Sequence, residues 1–313
     1  KMWADFEALG EPYLPVLVGG KAVVTVWFNN FLDTDCGGAY LETWYNTFVT
    51  PKGEPQLELP YDAPMSAIIQ DPRALSYLQR VCCSESPVST GAGAVAIEGG
   101  RSIWGFPKHP ELGKITFEYT KDKSKVLFEA SHSGKKAVSL KVDIPQEGAE
   151  GTISIPLEVE TGPDSLIGGP RKGGTHKDHN GAHQVRYGVA MKCTQHVKPW
   201  DAAADSLVFG EDAHYAVPIK QWNFEPVLKV HSPDFKIIAH KPSNWISGQK
   251  ADEQMEKSSA PRFVDPWWRK YDKPTEGFVD SSGKLNRLPL RLESTEVIVY
   301  GLVDAKKMWA DFE

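Results

Sequence analysis

Side chains of opposite character alternate along this chain with a period of two, run after run. Ile115, Phe117 and Tyr119 interleave with Thr116, Glu118 and Thr120, and Ile153, Ile155, Leu157 and Val159 interleave with Ser154, Pro156, Glu158 and Glu160. Shorter runs of the same kind cover 23–28, 126–130, 227–230, 235–239 and 296–300, with Gly, Pro, Asn and Asp between them. A period of two sends successive side chains to opposite faces of an extended strand, so each run reads as a half-buried strand. The expectation is a mainly β protein of antiparallel strands joined by turns, closed into a barrel or folded as a pair of curved sheets. Helices should be few and short: one over 71–81 with Pro72 in its first turn, a turn over 201–207, and one starting after Asp304. The Gly-rich stretch 91–100 lacks a following Lys-Ser/Thr and reads as a hairpin turn rather than a phosphate loop.

The first seven residues, Lys1-Met2-Trp3-Ala4-Asp5-Phe6-Glu7, recur as the last seven, Lys307–Glu313. The second copy follows a helix-capping residue, Asp304, and stops without a terminator, whereas the first has no cap but runs into Gly10. Joined, the two give one helix with Met2, Phe6 and Leu9 on a single apolar face. The expectation is a tandem array in which the unit restarts at residue 307, a period of 306 residues. Neighbouring repeats, or further copies in a homo-oligomer, would then be its protein partners. Along the unit, 1–242 reads as a barrel body and 243–287 as a connector rich in Pro and Trp. Residues 288–313 read as a strand plus half a helix, which either opens the next repeat or completes the same barrel.

A chain of 313 residues, 41% hydrophobic, can bury a sizeable core. Its net charge of −6, with acids and bases interspersed, points to neither nucleic acid nor an anionic membrane. No apolar run approaches the length of a membrane span. Four cysteines (Cys36, Cys82, Cys83 and Cys193) are too few for a disulfide scaffold, and a lean toward reduced thiols and the cytoplasm follows. An upstream signal would instead allow secretion. His176, His179 and His183 have spacing that could bind zinc or copper, but the glycines around them mark a solvated loop, so no metal is expected.

The segment Gly100-Arg101-Ser102-Ile103-Trp104-Gly105-Phe106-Pro107-Lys108-His109 places one lysine after an aromatic–proline pair in apolar surroundings. A buried amine loses solvation in its charged form, so its pKa falls and the free base can attack carbonyls. The segment resembles the signature of the acetoacetate decarboxylase family, Gly-Arg-Glu-hydrophobic-Trp/Tyr-Gly-Tyr/Phe-Pro-Lys-Lys. Asp33–Thr43 is similar to the family's stretch ending in Tyr-x-Glu-Ser, with Tyr40 and Glu42 in its tyrosine and glutamate places. Val299-Tyr300 before the Asp304 helix looks like the family's first strand and helix, here at the opposite end of the chain. The resemblance covers 8–242 and 288–313. It implies an antiparallel β-barrel with a central cavity in which Lys108 forms an imine with a keto acid or ketone. It further implies that Glu42 orients the lysine or moves protons, that His109 tunes it, and that Arg101 or Arg291 contacts a carboxylate. Trp27, Tyr40, Trp104 and Phe106 would line the ligand site, and no external cofactor is implied.

Two departures open a second class of function. His109 stands where the family has a second lysine, and Trp27 stands where its pocket has a further acid. Losing a charge and gaining an indole suits a larger apolar ligand, so a non-catalytic carrier of a carotenoid, terpenoid or other pigment stands beside the Schiff-base-forming lyase.

Overall fold

The computed structural model describes residues 13–51, 54–60, 68, 71, 73–85, 90–103, 106, 108–109, 111–160, 166–168, 185–187, 189–239, 244–245 and 290–310. Short strands β1 (Tyr13–Pro15) and β2 (Leu17–Val18) lead into two long ones, β3 (Lys21–Thr34) and β4 (Tyr40–Pro51). Then come β5 (Glu58–Leu59), β6 (Leu75–Glu85) and helix α1 (Ala92–Ile103). A meander follows: β7 (Lys114–Tyr119), β8 (Lys125–His132) and β9 (Lys135–Asp143). Strands β10 (Ile153–Glu160), β11 (Leu166–Gly168), β12 (Val185–Tyr187), β13 (Val189–Pro199) and β14 (Ser206–Phe209) precede α2 (Ala216–Gln221). The last elements are β15 (Glu225–Ala239), β16 (Asn244–Trp245), β17 (Leu290–Val303) and α3 (Ala305–Ala310).

These strands form two sheets. The larger has 13 strands with the main path β10-β13-β15-β17-β3-β4-β6-β11-β12-β16, and β14-β9-β8-β7 form the smaller. Its long-strand pairings, from β10 through β6, are antiparallel, while β6 takes β11 in parallel. The expected closed barrel is not found: among the described residues no pairing joins the edge strands β10 and β16. The reason lies in how the faces are covered. Val24, Val26 and Phe28 of β3 share one core with Val126, Phe128 and Leu140 of the smaller sheet, so sheet-on-sheet packing buries the apolar face that closure would otherwise bury. Phe28 and Phe128 meet edge to face at 4.8 Å in the middle of that interface.

The opposite face of the larger sheet is also buried, and it is this face that holds the candidate site. Val23 of β3, Ile298, Tyr300 and Leu302 of β17, and Val230 of β15 form its core with Trp27 packed against them. Strand β17 lies between β15 and β3, pairing with β15 over Leu290–Leu302 and with β3 over Leu292–Val303, so the last strand sits in the middle of the sheet.

The strands expected over 23–28, 115–119, 126–130, 153–159 and 296–300 are present, and the runs at 227–230 and 235–239 are two halves of β15. An irregularity between Ser232 and Phe235 separates those halves. The helix expected over 71–81 is instead strand β6. Asp71 ends its own turn by accepting the Arg73 and Ala74 N–H groups, and the residues beyond it pair with β4 from Leu75 to Glu85. The hairpin expected over 91–100 is α1, whose small residues let it press on β6: a Cβ on Gly93 would stand 2.9 Å from the Ser84 carbonyl oxygen. Thr90 Oγ1 accepts the Ala92 N–H at its start. The 201–207 segment gives a turn and then enters β14. Asp304 does cap α3, its Oδ1 accepting the N–H groups of Lys306 and Lys307 at 2.9 and 3.2 Å. The first terminal copy, residues 311–313 of the second, the connector beyond Trp245 and the His176–His183 loop lie outside the described residues. Among those described, no helix is long and apolar enough to cross a membrane and no cluster of His, Cys, Asp or Glu could hold a metal.

Candidate functional site

The chain leaves α1 and turns back along β6. The Phe106 N–H bonds the Gly100 carbonyl at 2.8 Å, the His109 N–H bonds the Val81 carbonyl at 2.8 Å, and Lys108 bridges Val81 in parallel. Alternation along this extended piece sends Lys108 and His109 to opposite sides. Lys108 turns inward and is 4% exposed; Glu42, on β4, is 6% exposed. Its Nζ donates to Glu42 Oε2 at 2.5 Å and contacts Cys83 Sγ at 3.4 Å. Cys83 is the register partner of Glu42, and its thiol donates to the same carboxylate oxygen at 2.6 Å. The lysine's hydrocarbon arm passes so close to α1 that a Cβ on Gly100 would stand 2.4 Å from its Cε. A side chain at position 100 would require the lysine's arm to shift.

The electrostatics differ from the expectation for a buried amine. Burial works against the Lys108 charge, but the Cys83 sulfur and the Glu42 carboxylate outweigh it and hold the ammonium above its usual range. Burial keeps Cys83 a thiol by pushing its pKa well up, so at neutral pH the Glu42 carboxylate is the effective partner. Cys36 and Tyr40 stand near the same pair. Burial pushes the Cys36 thiol up to about 12 and the Tyr40 phenol well above its normal range, with the Glu42 charge adding to both. The resting cluster is therefore one cation, one anion and a set of neutral sulfur and oxygen groups.

Other expected site residues divide. Trp27 stacks on Trp44 with ring centres 5.2 Å apart and lies 6.0 Å from Phe235. Tyr40 stacks on Phe31 at 4.6 Å, and the Phe106 ring centre is 6.0 Å from Lys108 Nζ. These aromatics line the same face as the pair. His109 does not join it: its ring packs against His132 at 4.1 Å and His214 at 5.3 Å, on the side of the smaller sheet. Strand alternation turns it away from the pair. Arg291 is exposed on β17, and its backbone N–H donates to Asp35 Oδ2 at 2.9 Å. Arg101 lies in α1, with its side chain outside the described residues, as is Trp104. Cys83 was not anticipated. Reading 75–85 as a strand would have exposed it, because adjacent Cys82 and Cys83 must then face opposite cores.

No family model and no curated protein matches the sequence. Solved structures that overlap it include acetoacetate decarboxylase from Legionella pneumophila subsp. pneumophila str. Philadelphia 1, at 11% identity over 93% of this chain and 86% of that one, with a TM-score of 0.30. An acetoacetate decarboxylase-like enzyme from Sphingomonas wittichii RW1 overlaps at 10% identity over 90% of each chain, with a TM-score of 0.25. The enduracididine biosynthesis enzyme MppR, complexed with the condensation product of pyruvate and imidazole 4-carboxaldehyde, overlaps at 10% identity over 90% of this chain and 85% of that one, with a TM-score of 0.20. At scores this low the overlap assigns no activity and no residue roles.

Proposed function

We propose that the inner face of the larger sheet is a small-molecule site in which Lys108 reacts with a ketone through an imine. The observation that carries this is the buried contact of one amine with one carboxylate, Lys108 Nζ to Glu42 Oε2 at 2.5 Å, beside stacked aromatic rings. Because the amine rests protonated, Glu42 must first take its proton, leaving a neutral amine and a neutral acid. The amine's lone pair then forms the N–C bond, and the carbonyl π electrons move to oxygen, which recovers a proton from Glu42. A further proton transfer and loss of water give the iminium, an electron sink for breaking or making a neighbouring C–C bond. Transfer between the two groups leaves no net charge to desolvate, which suits a water-poor site.

Borohydride reduction in the presence of acetone or acetoacetate, followed by peptide mass analysis, tests this. The expected result is an alkylated Lys108 peptide that disappears in Lys108→Gln. Labelling spread over surface lysines, unchanged by that substitution, would refute the imine.

A second reading follows from the same pair. An amine held as ammonium by its carboxylate is also a polar anchor for an apolar ligand, and under this reading the protein carries a polyene or terpenoid without chemistry. A visible absorbance band in protein from its native source would favour carriage.

A further inference from the structure

The Lys108–Glu42 pair ends a polar stripe that crosses five neighbouring strands. Cys83 on β6 pairs with Glu42 on β4, Glu42 with Asn29 on β3, Asn29 with Glu296 on β17, and Glu296 with Ser232 on β15. Residues in register on adjacent antiparallel strands share a face, with Cβ atoms about 4.5–5.5 Å apart. Two residues along each strand on the same face runs an apolar row that includes Trp44, Trp27, Ile298 and Val230, in which the two indoles stack. The polar stripe thus borders a flat aromatic wall.

Asn29, Glu296 and Ser232 are each 0% exposed. Among the described residues, both polar atoms of the Asn29 amide, both carboxyl oxygens of Glu296 and the Ser232 hydroxyl lack hydrogen-bond partners. Folded proteins seldom bury such groups unpaired without a use for them. The buried Lys229–Asp205 pair, by contrast, is satisfied: Lys229 Nζ donates to both Asp205 oxygens at 2.7 and 2.6 Å, and Asp205 also accepts two backbone N–H groups. Burial raises the pKa of the Glu296 carboxyl well above the ordinary carboxylate range, while the adjacent Ser232 hydroxyl works against that rise without reaching hydrogen-bond geometry. Asn29 and Ser232 carry no charge, and burial favours the neutral acid at Glu296. They offer O–H and N–H donors together with acceptor oxygens and no positive charge.

We propose that Asn29 and Glu296 hold an uncharged carbonyl or carboxamide at the far end of a planar ligand whose ketone meets Lys108, and that they disfavour a carboxylate there. This deepens the small-molecule reading and relies on Lys108 only for the ligand's direction. A carbonyl oxygen accepts from the Glu296 acid and the Asn29 amide; an amide N–H donates back to Asn29 Oδ1 or Ser232 Oγ. Adjacent strands are about 4.8 Å apart, so the far group lies one to two strand spacings from the amine, roughly the length of a para-substituted benzene ring.

Three rigid methyl ketones test this: acetophenone, para-acetylbenzamide and para-acetylbenzoate, each titrated against tryptophan emission. Para-acetylbenzamide is expected to bind about tenfold or more tighter than the other two, because a polar site penalises ligands that leave it unpaired. Asn29→Leu combined with Glu296→Met should abolish that preference and leave acetophenone binding in place, while Glu296→Gln should retain it. Equal binding of the three ketones by the unaltered protein would overturn the proposal, as would a preference that survives the double substitution. So would a double variant that melts higher with the preference intact, the result expected if only trapped water occupies the stripe. Should the double variant fail to fold, the preference of the unaltered protein and of Glu296→Gln still decides. Borohydride reduction of the same complexes separates the two readings. Preference without a trapped Lys108 adduct sinks the imine alone; an adduct without preference sinks the stripe alone.

Discussion

Glu42→Gln removes the charge from the buried pair while keeping its shape, and the geometry dictates a change of sign rather than only of size. In the native protein burial works to lower the Lys108 pKa, but Cys83 and Glu42 outweigh it and hold it above the ordinary lysine value of 10.5. Its contribution to stability is fully present below about 10.5 and is lost as pH rises through the folded value. With glutamine opposite, burial has no carboxylate to outweigh it and the folded pKa falls below that of the unfolded chain. The unfolded chain then binds more protons across the interval between the two values, so stability rises with pH there. At neutral pH, stranding one partner of a buried pair costs about 3–5 kcal/mol, and the discount for solvent is small because the two side chains are 4% and 8% exposed. The double replacement Glu42→Leu with Lys108→Met removes both charges and is expected to be neutral or to stabilise by about 1–4 kcal/mol. Urea unfolding of the native protein, Glu42→Gln and the double variant at a series of pH values measures both effects. A Glu42→Gln cost below about 1 kcal/mol, or a stability that still declines with pH, would refute the claim that the carboxylate holds the ammonium in place.

Gly100→Ala places a methyl where the Lys108 arm passes, 2.4 Å from Cε, so the arm must shift and carry the amine with it. The expected result is a loss of about 1–3 kcal/mol in urea unfolding and a reductive-alkylation yield at Lys108 that differs from the native protein; an unchanged yield and stability would show that α1 does not set the lysine's position. Burial, with the nearby His109 charge, pushes the His132 pKa down from 6.5 to about 4. The folded state therefore resists protonation that the unfolded chain accepts, and stability should fall as pH drops from about 6.5 to about 4. His132→Phe should flatten part of that decline in thermal melts, and a slope identical to the native one would contradict the assignment.

Sequence and structure agree best where strands are half exposed. β8 and β10 show their two-residue period because one face meets solvent, and they were legible for that reason. β6 was not: Val81 and Cys83 enter one core and Cys82 another, so no polar alternation survives to distinguish it from an apolar helical face. α1 was hidden by glycines that weaken a helix intrinsically but allow its contact with β6 and with Lys108. Lys108 and Glu42 could be matched because each sits in a local motif. Cys83 joins them only through cross-strand register, and Asn29 and Glu296 become neighbours only because a strand from the far end of the chain inserts beside β3. Contacts of that range leave no trace in any local window.

That insertion carries a folding consequence. Without β17, both β3 and β15 would present bare backbone edges at the centre of the sheet, the arrangement most prone to recruit a stray strand. Native pairing must wait for residues separated from β3 by most of the chain, so closure of this seam is expected to be slow relative to the β7–β8–β9 meander. The gap is also an address: a peptide spanning Leu290–Ala310 has a ready-made slot between two waiting strands, capped helix included, and would bring the Glu296 carboxyl with it.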